Sequence, residues 1–544
     1  LLCAVMSKKV LQLVSVSILL LFVVQCAKRG TPTGGPKDET PPVLVRADPP
    51  NYTTNFDRKE IRIYFDEYIK LKDISKNLIV SPPMDPKAQV SPQGSASRYI
   101  DIQITDTLTP NTTYQFNFGE SVTDNNEGNA FPFFKYVFST GDYIDSLNVT
   151  GVIRDALLQK PDEYVTVMLY EADSTYSDSI VYKDVPRYIT NTLDSTVVFE
   201  LTNVKEGRYK LVAMKDDANN YTFQPDKDKI AFYDGFIEVP TDSVYVLRLF
   251  NEQLKSETGR PKQASAQRIA FPFTGNPDSI DVKLISAKPE GFERLVTLKK
   301  GQDSLQYWYK PQVETDSLIF ETYGNKQLLD TMYIRKRGLK PDSLQIQSVS
   351  SSLILEEPYL FNTTIPVVAV DTSKIKISRK DSTLVEAFQV NLFPEKLQMS
   401  LKFETEENES YSIQMLPEAL TDFYDSKNDT LNFSASTKAY GDYGEYDLTL
   451  QGAADVQHIV QLVNEKGDVK REIIGAPGTT VFQFNRIEPG KYYARVIVDL
   501  NENGKYDTGN YLEQKQPEEV LYYPDLLDLR SGWYPKNTFI LTQE

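Results

Sequence analysis

The chain has 544 residues, which at roughly 100–150 residues per domain corresponds to about four or five domains. Apolar residues make up 40% and charged residues 25%, and 59 Lys+Arg against 76 Asp+Glu leave a net charge of −17, a balance that argues against nucleic acid, whose binding needs clustered positive charge. One histidine, His458, and two cysteines, Cys3 and Cys26, exclude a disulfide scaffold, a Cys/His zinc site and any mechanism needing two histidines.

The first predicted element is a targeting segment. Lys8 and Lys9 precede an apolar run from Val10 to Val24 that ends at Gln25-Cys26. A basic start followed by about fifteen mostly apolar residues reads as a secretory signal over residues 1–25, and it is short for a bilayer span of roughly 20 residues. Translation is expected to start at Met6. Leu21-Phe22-Val23-Val24-Gln25-Cys26 resembles a bacterial lipoprotein box, with Gln25 in place of the usual small residue. The resemblance implies cleavage before Cys26 and acylation of its sulfur, so that the lipid holds the protein to a membrane; two or more acyl chains anchor stably where one does not. Residues 26–40 are rich in Gly, Pro and Thr and read as a flexible tether.

Beyond the tether, alternating patterns dominate. Ile61, Ile63 and Phe65 alternate with Arg62 and Tyr64. Val165, Val167 and Leu169 alternate, as do Tyr209, Leu211 and Ala213, and Tyr492, Ala494, Val496 and Val498. Period-two patterning over short runs, broken by Asn, Asp, Gly and Pro, predicts half-buried antiparallel strands. With 33 Tyr and 27 Phe, both strand formers, the predicted fold class is all-β, as β-sandwiches in series.

Residues 41–141 carry Pro41-Pro42-Val43, Asp48-Pro49-Pro50, Leu108-Thr109-Pro110-Asn111-Thr112-Thr113-Tyr114, Val122, Asp124, Gly128-Asn129 and Phe138-Ser139-Thr140-Gly141. This pattern resembles the bacterial Ig-like domain of surface-layer proteins. A looser repeat pairs Tyr114–Thr140 with Tyr411–Thr437, sharing a Tyr-led strand, a Thr-Asp turn and a closing Phe-Ser strand, and it predicts a second Ig-like domain over 341–440. A tighter repeat aligns Phe199–Asn220 with Phe482–Asn503 without a gap, matching Val204 to Ile487, Gly207 to Gly490, Tyr209 to Tyr492 and Asp216 to Asp499. Both copies resemble the prealbumin-like or carboxypeptidase-regulatory-like sandwich, which implies that fold over 145–253 and 441–544. Residues 254–267 lack aromatics and read as a linker; 268–340 read as a β domain of unassigned type.

Candidate chemistry is sparse. Asp499, Asn501, Asn503, Lys505 (through its carbonyl) and Asp507, with Gly504 at position six, resemble an EF-hand calcium loop, although position twelve is Asn510 rather than Glu. The same residues suit an Asx-rich turn, and both readings stand. His458 occupies a strand-like stretch, and no GxSxG elbow accompanies it, so it reads as structural and the chain as no enzyme. Six Asp-Ser/Thr-apolar triplets place hydroxyls at Ser146, Ser243, Ser279, Ser317, Ser343 and Thr430. They resemble the O-glycosylation acceptor of Bacteroidota, and they also suit turns that feed strands.

As a whole the sequence resembles a Bacteroidota outer-membrane lipoprotein. Lys28 and Arg29, where surface-exported members carry acidic residues, favour the periplasmic face. The resemblance implies a non-enzymatic scaffold whose sandwiches act as spacers and whose partners are the membrane, through the lipid, and other outer-membrane proteins of assembly, secretion or uptake. The alternative is a glycan-binding accessory lipoprotein that uses exposed Tyr faces and the two tryptophans, Trp308 and Trp533.

Overall fold

The computed structural model describes residues 38–192, 196–299, 301–453 and 455–541. Cys26 and the signal segment lie outside the described residues. Helix among the described residues is confined to Ile74–Asn77 and a few short 3-10 turns, and no helix there is long and apolar enough to cross a membrane. The chain forms two compact units, one of residues 38–80 and 84–144, the other of residues 81–83 and 145–541.

In the first unit, one sheet runs in the order Leu44–Asp48, Glu60–Leu71, Ser97–Gln103, Gln89–Ser91, with Val122–Asp124 also paired to Glu60–Leu71; the other joins Ile79–Ser81, Thr113–Asn117 and Lys135–Ser139. Alternation sends Ile61, Ile63 and Phe65 inward to meet Phe116 and Phe138 in a shared core. The Thr-Asp turn owes its form to Asp124, whose carboxylate accepts from the backbone N–H groups of Asn126 (2.8 Å), Glu127 (2.7 Å), Gly128 (3.1 Å) and Asn129 (2.7 Å). Burial pushes the Asp124 carboxyl upward, but these four donors outweigh it and hold the pKa below the ordinary carboxylate value.

The second unit begins with a sandwich from Leu147 to Leu249. One sheet orders Tyr188–Asn191, Thr166–Glu171, Gly207–Lys215 and Lys229–Phe232, with Ile237–Val239 on Gly207–Lys215; the other orders Val198–Val204, Leu147–Asp155 and Val244–Leu249. The last of those pairings is parallel. Residues 444–540 repeat this topology strand for strand: Val469–Gly475, Gln457–Val463, Gly490–Asp499 and Val520–Tyr522, with Leu527–Leu529, face Val481–Ile487, Gly444–Gln451 and Lys536–Ile540, and the closing pair is again parallel. The shared Gly-x-Tyr has a physical reason. The tyrosine ring lies back over the glycine, where an added Cβ would sit 3.4 Å from Tyr209 in one copy and 3.3 Å from Tyr492 in the other. Each hydroxyl then donates to a carbonyl four residues back, Tyr209 to Lys205 (2.9 Å) and Tyr492 to Glu488 (2.6 Å). The left-handed residue of the turn is not the glycine but Asn203 (φ 59°) and its counterpart Arg486 (φ 51°).

Between these copies lie two further sandwiches. In the first, Glu257–Thr258 and Lys262–Ser265 pair with Arg268–Thr274, in one sheet with Ser304–Lys310 and Glu293–Thr297. The expected linker 254–267 therefore corrects to part of a domain: its polar residues serve as short edge strands, which need no apolar face of their own. The second sheet orders Ile280–Leu284, Ser317–Gly324 and Gln327–Arg335. In the other sandwich, Ile346–Ser348, Tyr359–Thr363, Gln398–Phe403 and Phe388–Phe393 face Ile375–Ser378, Ser410–Met415 and Leu431–Ser436, while Val367–Val370 pairs with Leu420–Asp422. It repeats the corner chemistry of the first unit. Tyr114 Oη accepts from Thr109 N–H at 2.9 Å and Tyr411 Oη from Glu406 N–H at 2.7 Å. Thr140 Oγ1 donates to Thr109 O at 2.7 Å and Thr437 Oγ1 to Glu406 O at 2.5 Å. Asp422 accepts from Tyr424 and Ser426 N–H at 2.8 and 2.9 Å, as Asp124 does in its own turn.

Candidate functional site

The Asx-rich loop after Asp499 is the most elaborate polar structure in the second unit. Asp499 is fully buried; its carboxylate accepts from Gly504 N–H (2.7 Å), Asn503 N–H (3.2 Å) and the Gln457 amide (2.7 Å). Asn503 Oδ1 accepts from Lys505 N–H at 2.8 Å, and the amides of Asn503 (3.0 Å) and Asn501 donate to Asp507. Thus the oxygens of Asp499, Asn503 and Asp507 meet the loop's own donors. Asn510, at position twelve, pairs its backbone in both directions with Lys515 (2.8 and 2.9 Å). Glu518 closes the loop by accepting from Asp507 N–H (2.9 Å) and Leu500 N–H (3.2 Å). Burial first, with Asp499 and Asp507 nearby, keeps its pKa above the ordinary carboxylate value. Among the described residues no group of three or more His, Cys, Asp or Glu is arranged to hold a metal ion.

The far side of this loop reaches the 145–253 sandwich. Tyr511 is fully buried, its ring edge-on to Phe232 with centroids 5.3 Å apart and its hydroxyl 3.4 Å from that of Tyr176. Its N–H donates to Glu252 Oε1 at 2.5 Å. Lys210 is 1% exposed; its ammonium donates to Gln514 Oε1 (2.7 Å) and Tyr233 O (2.9 Å), and burial holds its pKa below the ordinary lysine value. Gln516 donates to Phe232 O (2.9 Å) and Asp234 (2.8 Å). At the loop's base, Arg495 Nη1 and Tyr522 Oη both donate to Leu157 O, at 3.0 and 2.8 Å. Gly509 is required by this approach, because a Cβ there would lie 2.7 Å from both Lys515 O and the Phe250 ring. Tyr176, Asp178, Lys210, Phe236 and Gln514 line a 530 Å³ cleft beside this contact. This docking was not read from the sequence. A Tyr-Leu pair inside an otherwise polar or Gly stretch, Gly509-Asn510-Tyr511-Leu512-Glu513-Gln514, was the available signal. The contact also covers Lys210 on the outward face of Gly207–Lys215, where simple alternation predicts a half-buried strand.

The remaining candidates fall elsewhere. Trp308, expected as a sugar-stacking face in the glycan alternative, is 0% exposed and is corrected to a joint residue. It packs with Ile365, Leu397 and Phe423 of the next sandwich, donates its indole N–H to Thr297 Oγ1 at 2.9 Å, and lies under Arg268, which is ion-paired to Asp342 at 2.8 Å. Trp533 is half-exposed beneath Arg530. His458 is buried in Gln457–Val463, and desolvation keeps its pKa low. Of the six hydroxyls in the acceptor-like triplets, Ser146, Ser243, Ser317, Ser343 and Thr430 are exposed, whereas Ser279 is half-buried, its Oγ within hydrogen-bond distance of Asn276 O and Ser256 Oγ, both at 2.7 Å.

Residues 38–140 match the family described as the bacterial Ig-like domain. The fold and joints thus define an all-β protein of several tandem Ig-like β-sandwiches, the first of them a bacterial Ig-like domain. Among solved structures, the chain is similar to domains 1–6 of the surface layer protein SbsC (12% identity, TM-score 0.16, covering 90% of this chain and 68% of that one). It is also similar to FdeC, an adhesin of Escherichia coli (9%, 0.14, 74% and 99%), and to a variant of BcpA, the major pilin subunit of Bacillus cereus (12%, 0.13, 73% and 99%). At these TM-scores the likeness carries no argument about activity. No curated protein matches the chain.

Proposed function

We propose that this is a non-enzymatic cell-envelope scaffold, anchored through lipid on Cys26 to the periplasmic face of an outer membrane, which holds other outer-membrane proteins through the surfaces of its sandwiches. The single observation that carries the reading is how the polar groups of the second unit are used. Its most elaborate polar loop, its buried lysine and its buried tryptophan are all committed to joints between sandwiches. In this reading residues 145–541 act as one interlocked body rather than as a string of spacers. The two repeat copies are prealbumin-like sandwiches fixed to one another through Tyr511. The bacterial Ig-like match over 38–140 supports an envelope location, and the lipoprotein-like Leu21–Cys26 supports the anchor. Burial of Trp308 removes one of the two tryptophans on which a glycan-binding role drew.

Two measurements on the full chain in its native envelope test the proposal. Labelled palmitate should enter the wild type and not Cys26→Ala, and the variant should leave the membrane fraction. Mild crosslinking should recover the same envelope proteins from replicate preparations. Membrane retention of Cys26→Ala would overturn the anchor, and recovery of no stable protein partner would overturn the scaffold.

A further inference from the structure

Most sheet edges in the second unit are short, but the sandwich of residues 257–335 has a long one left open. Gln327–Arg335, nine residues, ends the sheet Ile280–Leu284, Ser317–Gly324, Gln327–Arg335, with no strand beyond it among the described residues. Seven of its nine residues are exposed. Its one irregularity is at the start, near Leu329; from Asp330 to Arg335 it pairs in continuous register with Thr322 back to Ser317. Just past the strand, Lys336 N–H donates to Asp316 O at 2.8 Å, which makes 336 and 316 a hydrogen-bonded pair. Bonded and non-bonded pairs alternate along an antiparallel ladder, so Thr331, Tyr333 and Arg335 turn their N–H and C=O groups away from the sheet. The Thr331 N–H is met by the carboxylate of its own neighbour, Asp330, at 2.7 Å.

Two further features sit beside those groups. Ile285, Ile319 and Tyr333 are 48%, 42% and 80% exposed. Ile319 is the register partner of Tyr333, and Ile285 N–H donates to Ile319 O at 2.8 Å. An apolar row therefore crosses the solvent face and ends at the open edge. Directly after it come Arg335, Lys336, Arg337 and Lys340, four basic residues within six positions in a chain of net charge −17. Among the described residues none of the four is ion-paired; the Lys336 ammonium donates to Val313 O, and the backbone of Arg337 and Lys340 is bonded to Gln263 and Ala266 of the facing sheet while both side chains are exposed. Exposed edges are ordinarily blunted by proline, inward charge or a bulge in mid-strand, and this stretch has none between Thr331 and Arg335.

We propose that this edge takes up an extended acidic segment of a partner protein as an added strand. The segment would pair with Thr331, Tyr333 and Arg335, lay its apolar side chains on Ile319 and Tyr333, and set its carboxylates against Arg335, Arg337 and Lys340. Outward backbone groups at ladder spacing select a polypeptide, which at Thr331 displaces the Asp330 carboxylate from the N–H, and the basic run selects an acidic one. The proposal rests on the scaffold reading and names the chemistry of its partner.

The test uses the detergent-solubilised full chain and a fluorescein-labelled heptapeptide, Val-Thr-Val-Thr-Glu-Glu-Glu, with a control in which Lys replaces Glu. The acidic peptide should bind saturably and at least about tenfold more tightly than the control, as a backbone-plus-charge interaction predicts. It should also slow hydrogen exchange at the Thr331 and Tyr333 amides. Arg335→Glu with Arg337→Glu, both changes on exposed side chains, should reverse the preference. Thr331→Pro, which removes an outward donor, should lose binding. Absence of saturable binding, binding without protection of those two amides, or indifference to the charge reversal would each overturn the proposal. Should Thr331→Pro fail to fold by circular dichroism, the charge reversal and the exchange measurement decide. Dimerisation of the wild type that Thr331→Pro abolishes would make the occupant a second copy and also overturn it. If Thr331→Pro still crosslinks its envelope partners, this edge assignment falls while the scaffold reading stands.

Discussion

Tyr511→Ala isolates the contact between the two repeat sandwiches. Tyr511 belongs to neither sandwich core, yet it is fully buried against Phe232 and Tyr176. A tyrosine buries about 150–250 Å², which at about 25 cal/mol per Å² amounts to about 4–6 kcal/mol. Truncation of buried aromatics to alanine costs about 3–5 kcal/mol. A loss of about 4 kcal/mol shifts the opening equilibrium of the loop by about a thousandfold, since each 1.4 kcal/mol is tenfold. The assay is native-state hydrogen exchange at the amides of Asn510 and Lys515, which pair with each other only while the loop is folded. Those amides should exchange about three orders of magnitude faster in the variant, while the circular dichroism spectrum of the sandwiches stays unchanged. Tyr511→Phe keeps the ring and gives up only a long hydroxyl contact, so it should stay within about 1 kcal/mol of wild type. Wild-type exchange rates in Tyr511→Ala would refute the assignment of the loop as a docking element.

Four other outcomes follow from the same geometry. Asp124→Ala strips four backbone donors of their acceptor; at about 1–3 kcal/mol per donor left unsatisfied, offset by rehydration, the first unit should lose about 2–4 kcal/mol in a urea melt. Because the folded pKa of Asp124 lies below its unfolded value, that stability is present above the unfolded pKa and is lost as pH falls through the folded one. Glu518 has the opposite sign, its folded pKa being raised: its cost is present at neutral pH and is relieved as pH falls through the raised value, so exchange of the 500–518 amides, corrected for intrinsic rates, should slow on mild acidification. Trp308→Ala empties the joint with Ile365, Leu397 and Phe423 and should cost about 3–5 kcal/mol in a denaturant melt. If the triplet hydroxyls are glycosylated in the native envelope, peptide mass spectra should show modification at the five exposed positions and an unmodified Ser279, which is half-buried with its hydroxyl in two hydrogen-bond contacts.

The parts of this architecture that were legible in the sequence are those fixed by short-range rules. Alternation placed Ile61, Ile63 and Phe65 in one core and Val165, Val167 and Leu169 in another, because a strand has only two faces. The Gly-x-Tyr and Thr-Asp repeats were legible because each is a local device, a ring over a glycine or a carboxylate closing a turn. Contacts between domains left weaker marks. Trp308 looks the same in sequence whether it faces sugar or the next sandwich. Polar residues 254–267 look like a linker because an edge strand asks little of its side chains. The loop after Asp499 has the spacing of an ion-binding turn, and in the structure that spacing lets Asp499 and Asp507 close the turn on backbone and amide N–H groups.

The two repeat copies show how one topology serves two ends of a joint. From the shared aspartate to the next strand, the first copy uses residues 217–228 and the second residues 500–519, so the second loop is the longer. The added length carries Tyr511, Gln514 and Gln516, which contact the other copy. The receiving surface on the first copy is built by other segments, Tyr176 after Thr166–Glu171, Lys210 in Gly207–Lys215, and Phe232 and Asp234 at the end of Lys229–Phe232. Were the loops equal in length, each copy would offer the same short turn and neither would reach the other. The asymmetry therefore makes the contact directional, with arm on one copy and socket on the other. It also means that pruning the arm should loosen the joint without unfolding either sandwich, since their core clusters share no residue and the bonds of Arg495 and Tyr522 to Leu157 O lie outside the arm.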